Sequence, residues 1–311
     1  MTLPKAFEGL RLPAIAAPMF LTSGPDLVVE VCRSGVVGTF PALNQRSTDG
    51  FVAWLEEIAT RLEAFDSPAP YGVNLIVHRS NPRLRADLEE VVRHRVPLVI
   101  TSLGAVADVV DAVHSYGGLV FHDVISRRHA EKAAEAGVDG IIAVAAGAGG
   151  HAGQISPFAL VSEIRSVFGG AIALSGAMST GAHIAAARAM GADLAYIGSP
   201  FIATEEANAQ PDYKQMIVDS TALPEQAVRD IVNGAFRSAG QRCSALRCLY
   251  VQEDIAPHLI EMIKGAMDEL TVGDPWALST DVGPVIDPKA HSMSDAVAYM
   301  TGAKLPEGIA A

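Results

Sequence analysis

The stretch AIALSGAMSTGAHIAAARAMGADLAYIGSPF, residues 171–201, decides the fold. It opens on a short apolar run, AIALS (171–175), and closes on another, LAYIG (194–198). Between them GAHIAAARAMGAD (181–193) sets Ala and charge on opposite faces and runs into Gly, a helix C-terminal signal. Strand, helix, strand in that order makes a parallel pair, because parallel strands need a crossover.

The same unit recurs back along the chain. Further candidate strands are AIAAP (14–18), VVGTF (36–40), YGVNL (71–75), PLVIT (97–101), GLVFH (118–122) and GIIAV (140–144). A helix such as RHAEKAAEAG (128–137) fits between two of them. Eight units in about 200 residues suit a closed (β/α)8 barrel better than an open doubly wound sheet. The expected fold class is therefore α/β, a (β/α)8 TIM barrel over residues 1–222. From 223 to 311 the texture changes to helix, Gly-containing turn, short apolar run and second helix, then the Gly/Pro-rich VGDPWALSTDVGPVIDP. That segment is expected to be a mostly helical extension.

Composition agrees and excludes several functions. Half of the 311 residues are hydrophobic and 19% charged, so the chain can bury a large core. A formal net charge of −12 lacks the basic excess that phosphate neutralisation needs, so no nucleic-acid partner is expected. No apolar run reaches the roughly 18 residues of a membrane span. MTLPKAFEGLRLP has no apolar core of a signal peptide. Three cysteines, Cys32, Cys243 and Cys248, make neither a disulfide framework nor a CxxC metal pair, so no metal is expected. The expected location is cytoplasmic, with reduced thiols.

In a barrel of this kind, function sits on the loops that follow the strands. SGAMSTG (175–181) and IGSPF (197–201) follow strands seven and eight. Small residues let backbone N–H groups approach an anion, and a helix N-terminus favours negative charge. Ser175, Gly176, Ala177, Gly198 and Ser199 are the candidate phosphate ligands, although ordinary tight turns also use Gly and Ser. Asn74 ends strand three among apolar neighbours; it either bonds backbone or reads the polar edge of a heterocycle. His122 and Asp123 end strand five, and only one of the two faces the barrel interior. Asp123 either touches a ligand or caps the next helix. AAGAGGHAGQISP (145–157) carries His151 on the loop after strand six, with Gly149, Gly150, Ala152 and Gly153 around it. Bulk is stripped from both sides, which leaves room for something planar. An imidazole there suits proton transfer or stabilising an anion.

At these residues residues 1 to about 220 resemble the nitronate monooxygenase family (older name 2-nitropropane dioxygenase), FMN-dependent barrel enzymes. The matching motifs are APM (17–19), YGVNL, AGGHAG (148–153), SGAMSTG and IGSPFIATEE (197–206). The resemblance implies FMN as cofactor, with Gly176 and Gly198 at its phosphate and Ser175, Ala177 and Ser199 beside them. It implies Ala17, Pro18 and Met19 near the isoalloxazine, and Asn74, Asp123, Gly149 and Gly150 among the cofactor contacts. The family's GGHxG histidine falls on His151, the implied catalytic residue. Relatives often carry Lys or Gln after the FH pair; here it is Asp123, which does not compensate a negative flavin N1 locus as Lys would.

The implied reaction is oxidation of an alkyl nitronate or nitroalkane by O2 to a carbonyl compound and nitrite, with a homodimer left open. FMN-dependent enoyl-ACP reductases and NADH:quinone reductases carry a similar histidine motif, so an NAD(P)H-dependent reduction is the alternative. Residues 226–288 instead resemble the pyrroline-5-carboxylate (aldehyde) dehydrogenases. The matching segments are GAFRSAGQRCSALR (234–247) and GDPWALSTDVGPVID (273–287), and the catalytic thiol falls on Cys243. NAD-dependent aldehyde oxidation is thus a third reading, although no NAD-binding domain is visible upstream.

Overall fold

Eight parallel strands close on themselves in chain order. They are β1 (Ala14–Ala16), β2 (Val37–Pro41), β3 (Tyr71–Ile76), β4 (Leu98–Ser102), β5 (Leu119–Val124), β6 (Gly140–Val144), β7 (Ala171–Ser175) and β8 (Leu194–Ile197). The ring shuts where Ile15 of β1 stands opposite Tyr196 of β8. Helices alternate with them: α1 (Pro25–Arg33), α2 (Thr48–Leu62), α3 (Leu84–Arg93), α4 (Ala107–His114), α5 (Arg127–Glu135), α6 (Pro157–Arg165), α7 (Gly181–Ala189), α8 (Ser199–Ile202) and α9 (Pro211–Asp219). This computed structural model describes residues 3–102, 107–149, 153–219, 231–236, 246, 249, 256–274, 276 and 280–283. The chain divides into two compact units, residues 1–219 and 220–311.

All eight expected strands form, with ends displaced by two residues at most. Their continuous apolar runs follow from burial on both faces. One face fills the barrel: Ile15, Val37, Leu98, Ile100, Phe121, Ile142, Ala173 and Leu194 form a single cluster. The other face meets the helices through Val73, Leu75, Val99, Val120, Ile141, Ala143, Ile172 and Leu174. Each large side chain fully buried this way contributes about 1.5–3 kcal/mol.

The N-terminal segment has a role that the period of the strands does not reveal. A 3-10 turn at Lys5–Phe7 drives Phe7 into the interior cluster, where it is 1% exposed. Its ring meets Phe121 edge-on, centroids 5.8 Å apart. Phe121 in turn fills the space of a side chain at Gly140, where a Cβ would lie 2.4 Å from the ring. Phe7 thus plugs the N-terminal end of the barrel.

In the second unit, residues 231–236 are helical and Ala256–Asp268 forms a longer helix. Val272 and Val282 make an isolated bridge, and the Thr271 amide donates to Asp281 Oδ2 at 2.9 Å. Cys243 lies outside the described residues. Among the described residues no helix is long and apolar enough to cross a membrane.

Candidate functional site

The loop after β6 is built on a narrow base. The Ala146 amide donates to the Ile155 carbonyl at 2.9 Å, and Ala145 donates to Ser175 on β7 at 3.0 Å. A side chain at Gly153 has no room, since its Cβ would lie 1.9 Å from the Val144 carbonyl oxygen. Gly149 differs: it is exposed, and a Cβ there would meet nothing within 4 Å. So packing demands a glycine at 153, and among the described residues it does not demand one at 149. His151 and Gly150 lie outside the described residues.

The loops after β6 and β7 interlock. Ala177 stands in the left-handed region at φ 47°, and its amide donates to the Gly147 carbonyl at 2.9 Å. Gly147 also has positive φ, 88°. Gly176 lies so close to Ala146 that a Cβ would come 2.9 Å from its carbonyl oxygen. Ala177 therefore shapes the turn and spends its amide there. Thr180 caps α7 by accepting from the His183 amide, and the His183 ring accepts from the Ser179 amide at 3.0 Å. Ser175, at the inward end of β7, stands opposite Tyr196.

The loops after β1 and β8 also meet. The Ala17 amide donates to the Ile197 carbonyl at 2.8 Å. A Cβ on Gly198 would touch Met19 Sδ at 3.6 Å and Ala17 Cβ at 3.9 Å, ordinary contacts. Gly198 precedes α8, which Ser199 opens. Pro18 and Met19 are partly exposed at this rim. Two asparagines that the sequence motifs do not flag hold the β1 loop in place. Asn44 donates to the carbonyls of Met19 (3.0 Å) and Ser23 (2.8 Å) and accepts from the Leu21 amide (2.9 Å). Asn208 donates to the Leu21 carbonyl through its side chain and to Thr22 through its amide, both at 2.9 Å. Leu21 is held at φ 59° as a result, and Phe20 and Leu21 project outward, 67% and 59% exposed. Only the tertiary fold brings residue 208 to residue 21, so a local motif could not show it.

On the opposite side of the mouth, β3, β4 and β5 present a polar chain. Asn74 Nδ2 donates to the Ile100 carbonyl at 3.2 Å and to Ser102 Oγ at 2.9 Å. Ser102 donates to Asp123 Oδ2 at 2.5 Å. Asp123 is the inward residue of the FH-Asp pair, and His122 turns outward, bonded to Thr101 Oγ1 at 2.8 Å. Burial pushes the His122 pKa down. The first helical residue after Asp123 is Arg127, and Ser126 occupies its N-cap position, so Asp123 serves the mouth and not a cap. Tyr196 closes the ring from β8; burial first, and the Asp123 charge second, push its phenol well above the usual range. Ser102 and Tyr196 join the site through strand register, with no motif of their own.

The structure therefore gathers Ala17 and Met19 with Gly198, Gly176 and Ala177 with the β6 loop, and Asn74 with Asp123. Among the described residues no group of three or more His, Cys, Asp or Glu is placed to hold a metal ion.

Comparison with known proteins finds two kinds of relative, and the family-model match runs across residue 222, where the texture changes. The aldehyde dehydrogenase family model matches residues 129–305. The bifunctional protein PutA of Salmonella typhimurium is 58% identical over 77 residues, 25% of this chain and 6% of PutA. A Mycobacterium tuberculosis protein whose name carries a provisional monooxygenase assignment is 29% identical over 190 residues, 60% of this chain and 49% of that protein. The chain thus spans half or less of these relatives. Among solved structures, a FabK mutant from Thermotoga maritima is 25% identical with a TM-score of 0.63, covering 72% of this chain and 71% of its own. Nitroalkane oxidase from Streptomyces ansochromogenes shares the fold at 23% identity and a TM-score of 0.61, covering 68% of this chain and 72% of its own.

Proposed function

The chain belongs to the aldehyde dehydrogenase family over residues 129–305, and we propose that its working site is nevertheless the barrel mouth, as an FMN-dependent oxidoreductase of the nitronate monooxygenase type. Strands β6, β7 and β8 fall inside that matched stretch, yet they pair with β5 and β1 to complete the closed barrel. A thiol at Cys243 needs an NAD-binding domain to accept hydride. The described strands of that stretch are committed to the barrel instead.

One observation carries the reading. Small residues from the loops after β6, β7 and β8, with Ala17 and Met19 after β1, sit at the C-terminal end of a barrel whose other end Phe7 plugs. The residues there fit FMN. Gly176, Gly198 and Ser199 offer small or hydroxylic positions for the phosphate, after strands seven and eight as such sites require. Ser175 and Ala177 shape that turn. Ala17, Pro18 and Met19 supply an apolar rim for the ring, Gly149 leaves space beside it, and Asn74 and Asp123 give its polar edge partners. When bound, FMN supplies the electron transfer.

The protein's own part is positional and acid–base. His151 holds the nitro group's developing charge, or takes the α-proton of a nitroalkane onto a ring nitrogen. The apolar rim limits water at the substrate. O2 is the second substrate, and a carbonyl compound and nitrite leave. The test is direct: load the protein with FMN and follow nitrite release from a nitroalkane in air. Flavin bleaching by NADH without air, with no nitrite formed, would turn the reading toward the reductases. NAD-dependent oxidation of glutamate semialdehyde, abolished by Cys243→Ala, would turn it toward Cys243.

A further inference from the structure

We propose that Asn44 is a positioning residue for the flavin ring: its carboxamide locks the β1 loop, so that Ala17, Pro18 and Met19 meet the ring as a fixed apolar edge with no spare amide. The proposal rests on the flavin-barrel reading above and adds a residue to its cofactor site.

Every hydrogen-bonding group of the Asn44 carboxamide ends on that loop. The carbonyls of Met19 and Ser23 can only accept, so both hydrogens of Nδ2 go to them, at 3.0 and 2.8 Å. Oδ1 then faces the Leu21 amide and accepts from it at 2.9 Å. Asn208 takes the other backbone group of the same residue, donating from Nδ2 to the Leu21 carbonyl at 2.9 Å. Leu21 is thus gripped at amide and carbonyl from two parts of the chain, and it stands at φ 59° although its side chain is exposed. An L-residue rarely adopts that conformation, which persists only where the surroundings over-determine it.

The grip leaves the start of the loop with no donor to spare. The Ala17 amide is spent on the Ile197 carbonyl, Pro18 has none, and the Met19 amide donates to Ser23 Oγ at 3.0 Å. The Met19 carbonyl accepts from the amides of Thr22 and Ser23 as well as from Asn44. Residues 17–19 can therefore offer a phosphate no backbone N–H, and what they present is apolar side chains. Anion binding falls to the turns after β7 and β8, and the β1 loop serves the ring. Asn44 spends its own hydrogens on the loop, so it acts on the ring through residues 17–19. Without it the loop occupies its working conformation for only part of the time, and affinity falls by that fraction.

The test titrates FMN and riboflavin, each followed by visible absorbance, into the full chain as wild type, Asn44→Ala and Asn44→Asp. Asn44→Ala is expected to bind both flavins about tenfold more weakly and by the same factor, as a loop in place for about a tenth of the time requires. Asn44→Asp keeps the size but sets carboxylate oxygens against two carbonyls, so it is expected to lose at least as much as the alanine variant. Hydrogen exchange at the Leu21 amide of the flavin-free protein reads the clamp by itself, and is expected to be about tenfold faster in Asn44→Ala than in wild type. If Asn44→Ala does not fold, Asn208→Ala frees the Leu21 carbonyl and is expected to weaken both flavins about threefold. Flavin affinities in Asn44→Ala within about twofold of wild type overturn this assignment alone. So does a loss confined to FMN, which would put the effect at the phosphate and not at the ring. Failure of the wild type to take up either flavin overturns the flavin reading and this assignment together.

Discussion

The carbonyl oxygen of Val144, at the end of β6, occupies the place where a side chain on Gly153 would begin: a Cβ there would lie 1.9 Å away. The return limb of the loop that carries His151 is thereby pressed against its own strand. Gly153→Ala must push the two backbones apart. We expect a loss of about 1–3 kcal/mol, the usual cost of overpacking, seen as a lower denaturant midpoint with unchanged slope. Gly149→Ala, which meets nothing within 4 Å, is expected within about 0.5 kcal/mol of wild type. Equal losses for the two would contradict the packing described.

Ala177 is the one candidate phosphate residue held in the left-handed region without being glycine. An L-residue there costs about 1 kcal/mol. Ala177→Gly is therefore expected to be neutral or stabilising by up to about 1 kcal/mol, and Ala177→Val to destabilise by more than that. Thermal unfolding of the two variants beside wild type checks both signs.

Phe7 closes the barrel's N-terminal end by packing on Phe121. Phe7→Ala leaves a cavity inside the interior cluster, and we expect a loss of about 3–5 kcal/mol. The measurement is chemical denaturation of the variant. A change below about 1 kcal/mol would mean that the N-terminal turn does not serve as the plug.

Cys32 and Tyr71 are among the buried acids on which alkaline stability depends. Burial raises the Cys32 thiol from 9.0 to about 12, with the Gly38 amide opposing, and burial raises the Tyr71 phenol from 10.0 to about 12. Above pH 9 the unfolded chain loses these protons while the folded chain keeps them, so stability is full below pH 9 and falls as pH rises toward 12. Cys32→Ala is expected to flatten the early part of that fall, near pH 9–10. The same burial keeps the thiolate scarce, so a thiol reagent at pH 8 is expected to leave Cys32 unlabelled until the protein is unfolded.

Much of this was legible in the chain because parallel barrel strands are buried on both faces. GIIAV and AIALS read as strands with both ends correct, since runs of five apolar or small residues are short for a helix and fit a strand buried on both faces. The small residues on the loops were legible for the same reason: a run such as AAGAGG is costly in a packed element and tolerated at a mouth. What the chain could not show was pairing across distance. Asn208 reaching Leu21 and Ser102 bridging Asn74 to Asp123 depend on which strands become neighbours. Phe7 looked like part of a featureless N-terminus because its partner is more than a hundred residues away. Gly153 and Gly149 looked alike in AGGHAG, and only three-dimensional space separates a packing glycine from an open one.

His151 carries the chemistry in this account, which fixes how its loss must look. His151→Asn keeps a polar side chain of modest size, so FMN binding is expected to persist. Turnover is expected to fall by about 10²–10⁴, the range for removing a general acid or base. Undiminished turnover would remove His151 from the mechanism.

The most direct test of the whole account is the visible absorption spectrum of the purified chain before and after addition of FMN and gel filtration. A flavin spectrum that stays with the protein is the expected result, and it would place the cofactor in a barrel built to hold it. A protein that remains colourless after FMN is offered would contradict the account, and with it the claim that the loops after β1, β6, β7 and β8 form a flavin site.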